Sequence, residues 1–347
     1  MSRAASSAAK RLASGDKRLR ATASPFVGNF TIDMNVSYLK YPAIPYSPHI
    51  KGQLVNAPVK IDTELAVQKA VPTPADLTIT PRDRRFGRGE DHVQGRWWNN
   101  GNPFATAFFN ALSTTFPKGE AFFIESVKAF RDGTSPKLAD EIRAFTMQEV
   151  MHTREHVAFN RRVVDSGYDV TFLDAQVDHV LELIKTRPAI VNLAATMALE
   201  HFTAILAREL LENPKHLAGA DEEAAALWRW HAVEEIEHKA VAYDTWLHAT
   251  KGWGRYRRWK LKSIMMLVIT FRFIPERIKG MLNLLEQDGI TGWRAKRGIL
   301  WYAFGNPGMF RKILVAWAAY FLPGFHPWNA DEKHLITRYE AENTVTA

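Results

Sequence analysis

Glu149-x-x-His152 and Glu235-x-x-His238 stand in the middle of two separate long helical patterns, and this repetition restricts what the chain can fold into. At 3.6 residues per turn, positions i and i+3 share a helix face, so each pair presents a carboxylate and an imidazole to one point. Each pair is preceded by another helical pattern carrying a glutamate among apolar neighbours, Glu120 before Ala121-Phe122-Phe123-Ile124 and Glu200 after Ala198-Leu199. Counting residues gives the depths. Glu120 lies 12 residues before Asp132 and Glu149 lies 14 after Ser135; Glu200 lies 12 before Glu212 and Glu235 lies 14 after Asp221. At about 1.5 Å per residue, each antiparallel hairpin brings its two glutamates to nearly the same level.

Four carboxylates facing one another in apolar surroundings would each be costly to keep ionised. Two divalent cations neutralise them, so the pattern calls for a binuclear metal centre. Cysteine is absent, which excludes disulfides, thiolate sites and iron–sulfur clusters, and leaves His, Asp and Glu as ligands. That ligand set suits iron, with manganese or zinc as alternatives. His231 lies four residues before Glu235, and His156 four after His152, so both share a ligand face. Each reads as a ligand or as a hydrogen-bond partner to a carboxylate ligand, with His231 the stronger candidate for a ligand. Tyr243 is either a redox or supporting tyrosine or a packing residue.

Around this centre the chain reads in four parts. Residues 1–24 are a basic, acid-poor leader, either disordered or a transit segment. Residues 25–100, rich in Pro, Gly and Asn, read as an irregular arm with short strands at Thr31–Val36 and Leu77–Thr80, ending in the basic turn Pro81–Gly87. Residues 101–250 read as helices: Phe104–Thr114, Lys118–Asp132, a helix capped by Ser135-Pro136 and running to Asp165, Leu173–Lys185, a helix from Pro188 to Glu212, and Asp221–Ala249. Residues 251–347 form a basic, aromatic helical extension. Its Trp253, Tyr256 and Trp259, set among arginines and lysines, suit an anionic membrane surface, a cap over the helices or an oligomer interface. The apolar runs Ile264–Thr270 and Ile313–Gly324 are too short to span a bilayer. The expected location is cytoplasmic, with the extension as a peripheral contact to the inner face of the membrane. A net charge of +8 favours acidic partners, but no base-reading motif accompanies it, which argues against nucleic acid. No glycine-rich phosphate loop or βαβ alternation is present.

One glutamate on each of two helices, with Glu-x-x-His on each of two others, resembles the ferritin-like di-iron carboxylate proteins. The resemblance implies an all-α, ferritin-like four-helix bundle. Its two irons would be held by Glu120, Glu149, His152, Glu200, Glu235 and His238, with Glu149 and Glu235 bridging. The order His231-x-x-x-Glu235-x-x-His238 is similar to that of the di-iron arylamine N-oxygenases, which implies His231 as an added iron ligand. The longer motifs Phe116-Pro117-Lys118-Gly119-Glu120, Gln148-Glu149-x-x-His152-x-x-x-His156, Ala198-Leu199-Glu200-His201 and Trp228-x-Trp230-His231-x-x-x-Glu235-x-x-His238 also resemble a bacterial family of predicted metal-dependent hydrolases. The expectation drawn from these likenesses is a di-iron oxygenase or oxidase. It would act on an apolar or amphipathic small molecule, with dioxygen and electrons from an external donor. A binuclear hydrolase is the alternative, and a non-catalytic iron-handling or ferroxidase-like protein a further one.

Overall fold

A computed structural model describes residues 72–89 and 92–344. The expected leader and the strand at Thr31–Val36 lie outside the described residues. Among those described, the chain is all-α, with a single isolated β-bridge between Asn99 and Ala220. Leu77–Thr80, expected as a strand, is extended but pairs with no other strand; its Thr80 N–H donates to the Glu237 carboxylate instead.

Local chemistry starts and stops the helices as the sequence suggests. α1 (Pro103–Ser113) begins at Asn102, whose side chain accepts from the Phe104 and Ala105 amides. α2 spans Phe116–Lys128, ending a turn before the expected Asp132. α3 (Pro136–Asp165) starts at Ser135, whose hydroxyl accepts from the Leu138 amide, with proline in the first turn. α4 (Thr171–Lys185) and α5 (Ala189–Glu212) follow. α6 (Glu222–His238) is capped by the Asp221 side chain. The expected single helix to Ala249 is broken after His238, and α7 (Val241–Ala249) resumes it. No glycine or proline marks the break. It falls where Lys239 is buried, its ammonium held by the Ala330 carbonyl (2.9 Å) and the Glu332 carboxylate (2.5 Å).

α2 packs on α3, α3 on α6, α6 on α5 and α5 on α2, closing a ring of four helices. α8 (Arg255–Gln287) lies against α1 and α5; α9 (Gly292–Leu300), α10 (Met309–Ala319) and α11 (Lys333–Thr344) complete the extension, α10 on α5 and α11 on α6. Gly280 lets α8 approach α1: a Cβ there would lie 3.3 Å from that of Ala111. α5 is long and apolar enough to cross a membrane, yet most of that stretch is buried within the fold, as befits a core helix. The outer side of α8 leaves Tyr256, Trp259 and Phe271 exposed.

The hydrophobic patterning explains the core but not its contents. A helix buried on all sides is ordinarily apolar all round. α6 is buried almost all round and carries His231, Glu234, Glu235, Glu237 and His238 into the interior. Ser135 offers a clean test of how far local capping supports α3: Ser135→Ala should lower stability by about 1 kcal/mol, read from the urea midpoint, because the cap is exposed and only its hydrogen bond is removed.

Candidate metal centre

The ring of helices brings Glu120 (α2), Glu149 and His152 (α3), Glu200 (α5) and Glu235 and His238 (α6) to one buried place. Three overlapping groups have ligand atoms within 4.8 Å of one another: Glu120 with His152 and His231, Glu149 with His152 and Glu235, and Glu149 with Glu200 and His238. Glu149 and Glu235 each face both histidines of the paired motifs. Glu149 lies 3.6 Å from His152 Nδ1 and 3.3 Å from His238 Nε2; Glu235 lies 3.9 Å and 3.5 Å from the same atoms. Glu200 is 3.5 Å from His238 Nε2.

The polar atoms turned inward make no hydrogen bonds. Both carboxylate oxygens of Glu149 and of Glu200, one each of Glu120 and Glu235, His152 Nδ1 and His238 Nε2 are buried without a hydrogen-bond partner. Buried polar groups are otherwise nearly always satisfied. The atoms turned outward, by contrast, are held. His152 Nε2 donates to Glu234 (3.0 Å), leaving Nδ1 bare toward the cluster. Gln148 gives its amide N–H to Glu237 (2.8 Å), so its oxygen accepts from His238 Nδ1 (2.9 Å) and the bare Nε2 faces inward. Thr153 donates to Glu120 (2.8 Å).

A longer chain reaches His231. Asn160 gives its amide N–H to the Ser113 carbonyl (3.2 Å) and accepts from the Ser113 hydroxyl (2.6 Å). The Ser113 oxygen then accepts from His156 Nδ1 (2.8 Å), and His156 Nε2 accepts from His231 Nδ1 (2.6 Å). His231 Nε2 is left without a proton, 2.9 Å from Glu235 Oε1. Two acceptors at that distance repel unless a cation lies between them. His156 therefore supports His231 rather than a carboxylate. Tyr243 lies apart, donating to the Phe325 carbonyl; His201 also turns away, toward the Ala316 carbonyl (3.1 Å).

The electrostatics follow from burial. Desolvation, reinforced by neighbouring carboxylates, lifts Glu120, Glu149 and Glu200 well above the usual carboxylate range. Burial pushes Glu235 the same way, but His238, facing it at 3.5 Å, overcomes it and holds Glu235 well below. Desolvation takes His231 down to about 4 and His156 well below its ordinary value, keeping both neutral. Burial also opposes the charge on His152, yet the Glu234 hydrogen bond raises it.

Sequence reasoning passed over an outer layer of acids. Glu234 is buried against His152, and Glu155 and Glu237 are buried as well. They are answered by the basic turn, by Arg88 just after it and by Arg154 of α3. The Arg82 amide donates to Glu234 (2.9 Å) and its guanidinium to Glu237, while Arg88 and Arg154 meet Glu155 at 2.7 Å. Surplus acids beside each Glu-x-x-His, together with three arginines in Pro81–Gly87, were the available signal.

Residues 80–331 match the family model described as "Predicted metal-dependent hydrolase". No curated protein and no solved structure matches the chain. The family match corrects the expectation of a di-iron oxygenase or oxidase: the family is described by hydrolysis, and nothing in the donor set requires redox chemistry, because carboxylate and imidazole serve Lewis-acid ions equally well. The expected dioxygen and electron donor rested on that reading alone.

Replacing Arg82 by Met would leave Glu234 and Glu237 buried without their cation. The variant should lose about 3 kcal/mol of stability, seen as a lowered denaturant midpoint; an unchanged midpoint would mean that the basic turn does not compensate the outer acids.

Proposed function

Because the chain belongs to the family of predicted metal-dependent hydrolases, we propose that it hydrolyses its substrate at a pair of divalent ions held by Glu120, Glu149, His152, Glu200, His231, Glu235 and His238. The observation that carries this reading is the convergence of unpartnered ligand atoms, with His152 and His238 each held by a hydrogen bond that leaves its free lone pair directed inward. Glu120, His152 and His231 would serve one ion and Glu200 and His238 the other, with Glu149 and Glu235 between them. Four carboxylates balance two divalent charges. The second ion would have fewer protein donors, which would leave room for water or substrate. Iron, manganese and zinc all suit these ligands.

Bound divalent ions supply Lewis acidity, polarising the scissile group and making water nucleophilic near neutral pH. The chain's residues do the positioning. Glu234, Gln148 and the Asn160–Ser113–His156 chain hold three imidazoles in the tautomer that presents a lone pair. Aromatic rings exclude bulk water: Trp230 packs on His152 (4.9 Å), Phe145 on His238 (4.9 Å) and Phe116 on His231 (4.6 Å). Overall, water's oxygen joins the substrate's electrophilic centre, the bond to the leaving group breaks, and the leaving group departs with a proton.

Metal analysis with a panel of ester and amide substrates tests the reading. Two divalent ions per chain, hydrolysis abolished by chelation and restored by metal, and loss of both ions in Glu235→Ala are expected. Metal-replete protein inert toward every hydrolysable bond class would refute hydrolysis; both ions retained in Glu235→Ala would refute the bridging role.

Metal uptake should also release protons. Glu120, Glu149 and Glu200 have raised pKa values, so without metal they keep their protons to higher pH than ordinary carboxylates, and those protons must leave before they ligate. Affinity should therefore rise with pH. Calorimetry in buffers of different ionisation enthalpy measures the release directly.

A further inference from the structure

Beneath α8 the core holds a positive charge that no acid answers. Arg277 is 6% exposed. One terminal nitrogen donates to the Ala111 carbonyl at the end of α1, its Nε–H makes no hydrogen bond, and no carboxylate of the described residues forms an ion pair with it. The neighbouring Glu276 is engaged elsewhere, by Gln176 (2.6 Å) and Lys279 (2.8 Å). Burial pushes the guanidinium down to about 10, so it remains charged at neutral pH. An unpaired buried cation is destabilising unless something completes it.

Arg277 lines a cavity of about 110 Å³ whose other walls include Phe122, Phe123, Leu181, Ile269 and Phe273. Cavities of this order, apolar and dry, admit small organic groups. It shares Gln176, Val180, Ile184 and Arg272 with a groove of about 1020 Å³ lined from α4 and α8. It also shares Phe116, Thr203 and Leu206 with a smaller cavity of about 30 Å³ that reaches His231 and Glu235. The groove, the Arg277 cavity and the cavity beside the carboxylate–histidine cluster thus adjoin one another, with Phe116 in the wall of the inner two.

We infer that this cavity binds an amphipathic carboxylate, its chain among the phenylalanines of α2 and α8 and its anionic group on Arg277. With one terminal nitrogen taken by Ala111, the remaining Nε edge of the guanidinium fits the planar, two-oxygen carboxylate. Arg272 and Glu276 also line the cavity, so a singly charged carboxylate suits it better than a phosphate, whose second charge would face Glu276. On the hydrolase reading, the substrate is then an ester or amide that also carries a free carboxylate.

Calorimetric titration of the full-length, metal-replete protein with octanoate and with 1-octanol tests the assignment. Octanoate should bind at least about tenfold more tightly than octanol, and Arg277→Met should remove that preference while leaving octanol binding unchanged. Leu181→Trp, which fills the cavity and keeps the arginine, should block both ligands; it guards against a folding defect in Arg277→Met. Absent octanoate binding, equal affinity for acid and alcohol, or an octanoate affinity untouched by Arg277→Met would overturn the proposal. Octanoate binding lost on chelation but kept in Arg277→Met would place the carboxylate on the metals, and would overturn it too. Because binding is read without turnover, an inert but octanoate-binding protein would refute the hydrolase reading and leave the Arg277 site standing.

Discussion

The concentration of buried carboxylates is the constraint on which the rest of this structure depends. Glu120, Glu149, Glu200 and Glu235 lie within reach of one another in a core that is otherwise aliphatic and aromatic. Low dielectric magnifies their repulsion. Three of the four are accordingly driven toward the protonated form by burial and by each other, and the fourth, Glu235, is held the other way by His238 facing it. A folded chain tolerates this arrangement when cations are expected there, and the donor atoms left without hydrogen bonds are those that would meet such cations.

Orientation of those donors is handled one layer further out. Each histidine of the cluster spends one nitrogen on a fixed protein partner: His152 on Glu234, His238 on Gln148, His231 on His156. Those partners are themselves pinned, Glu234 by the Arg82 backbone and Gln148 by Glu237. The irregular segment before α1 therefore contributes to the centre as much as a helix does. Its arginines neutralise acids that would otherwise add to the central repulsion, and Trp230 ties its indole N–H to the Arg82 carbonyl (3.1 Å).

The helices beyond the ring give the centre its surroundings. α8 lies against both α1 and α5, and with α4 it walls the groove and cavity that lead inward past Arg277. A buried arginine paired with no carboxylate of the described residues and a cluster of carboxylates in apolar surroundings are parallel anomalies. Each is a site where the fold bears a cost that a small partner can offset, and Phe116, Thr203 and Leu206 line the cavities beside both.

Much of this was written in the order of residues. The 3.6-residue period, the Ser135-Pro136 start and the spacing of Glu-x-x-His determined the helices and named the residues that meet, because helix phase and rise are local properties. Other features have no local signature. The break after His238 depends on Lys239 reaching Glu332, far along the chain. Glu234 is out of phase with Glu235 on its own helix, and it meets His152 only because α3 packs beside α6. The Arg82, Gln148 and Ser113 contacts join segments tens of residues apart or more. Arg277 reads in sequence as one more basic residue of a basic helix. Only the packing of α8 on α1 buries it, and only burial turns an ordinary arginine into a charge in need of a partner.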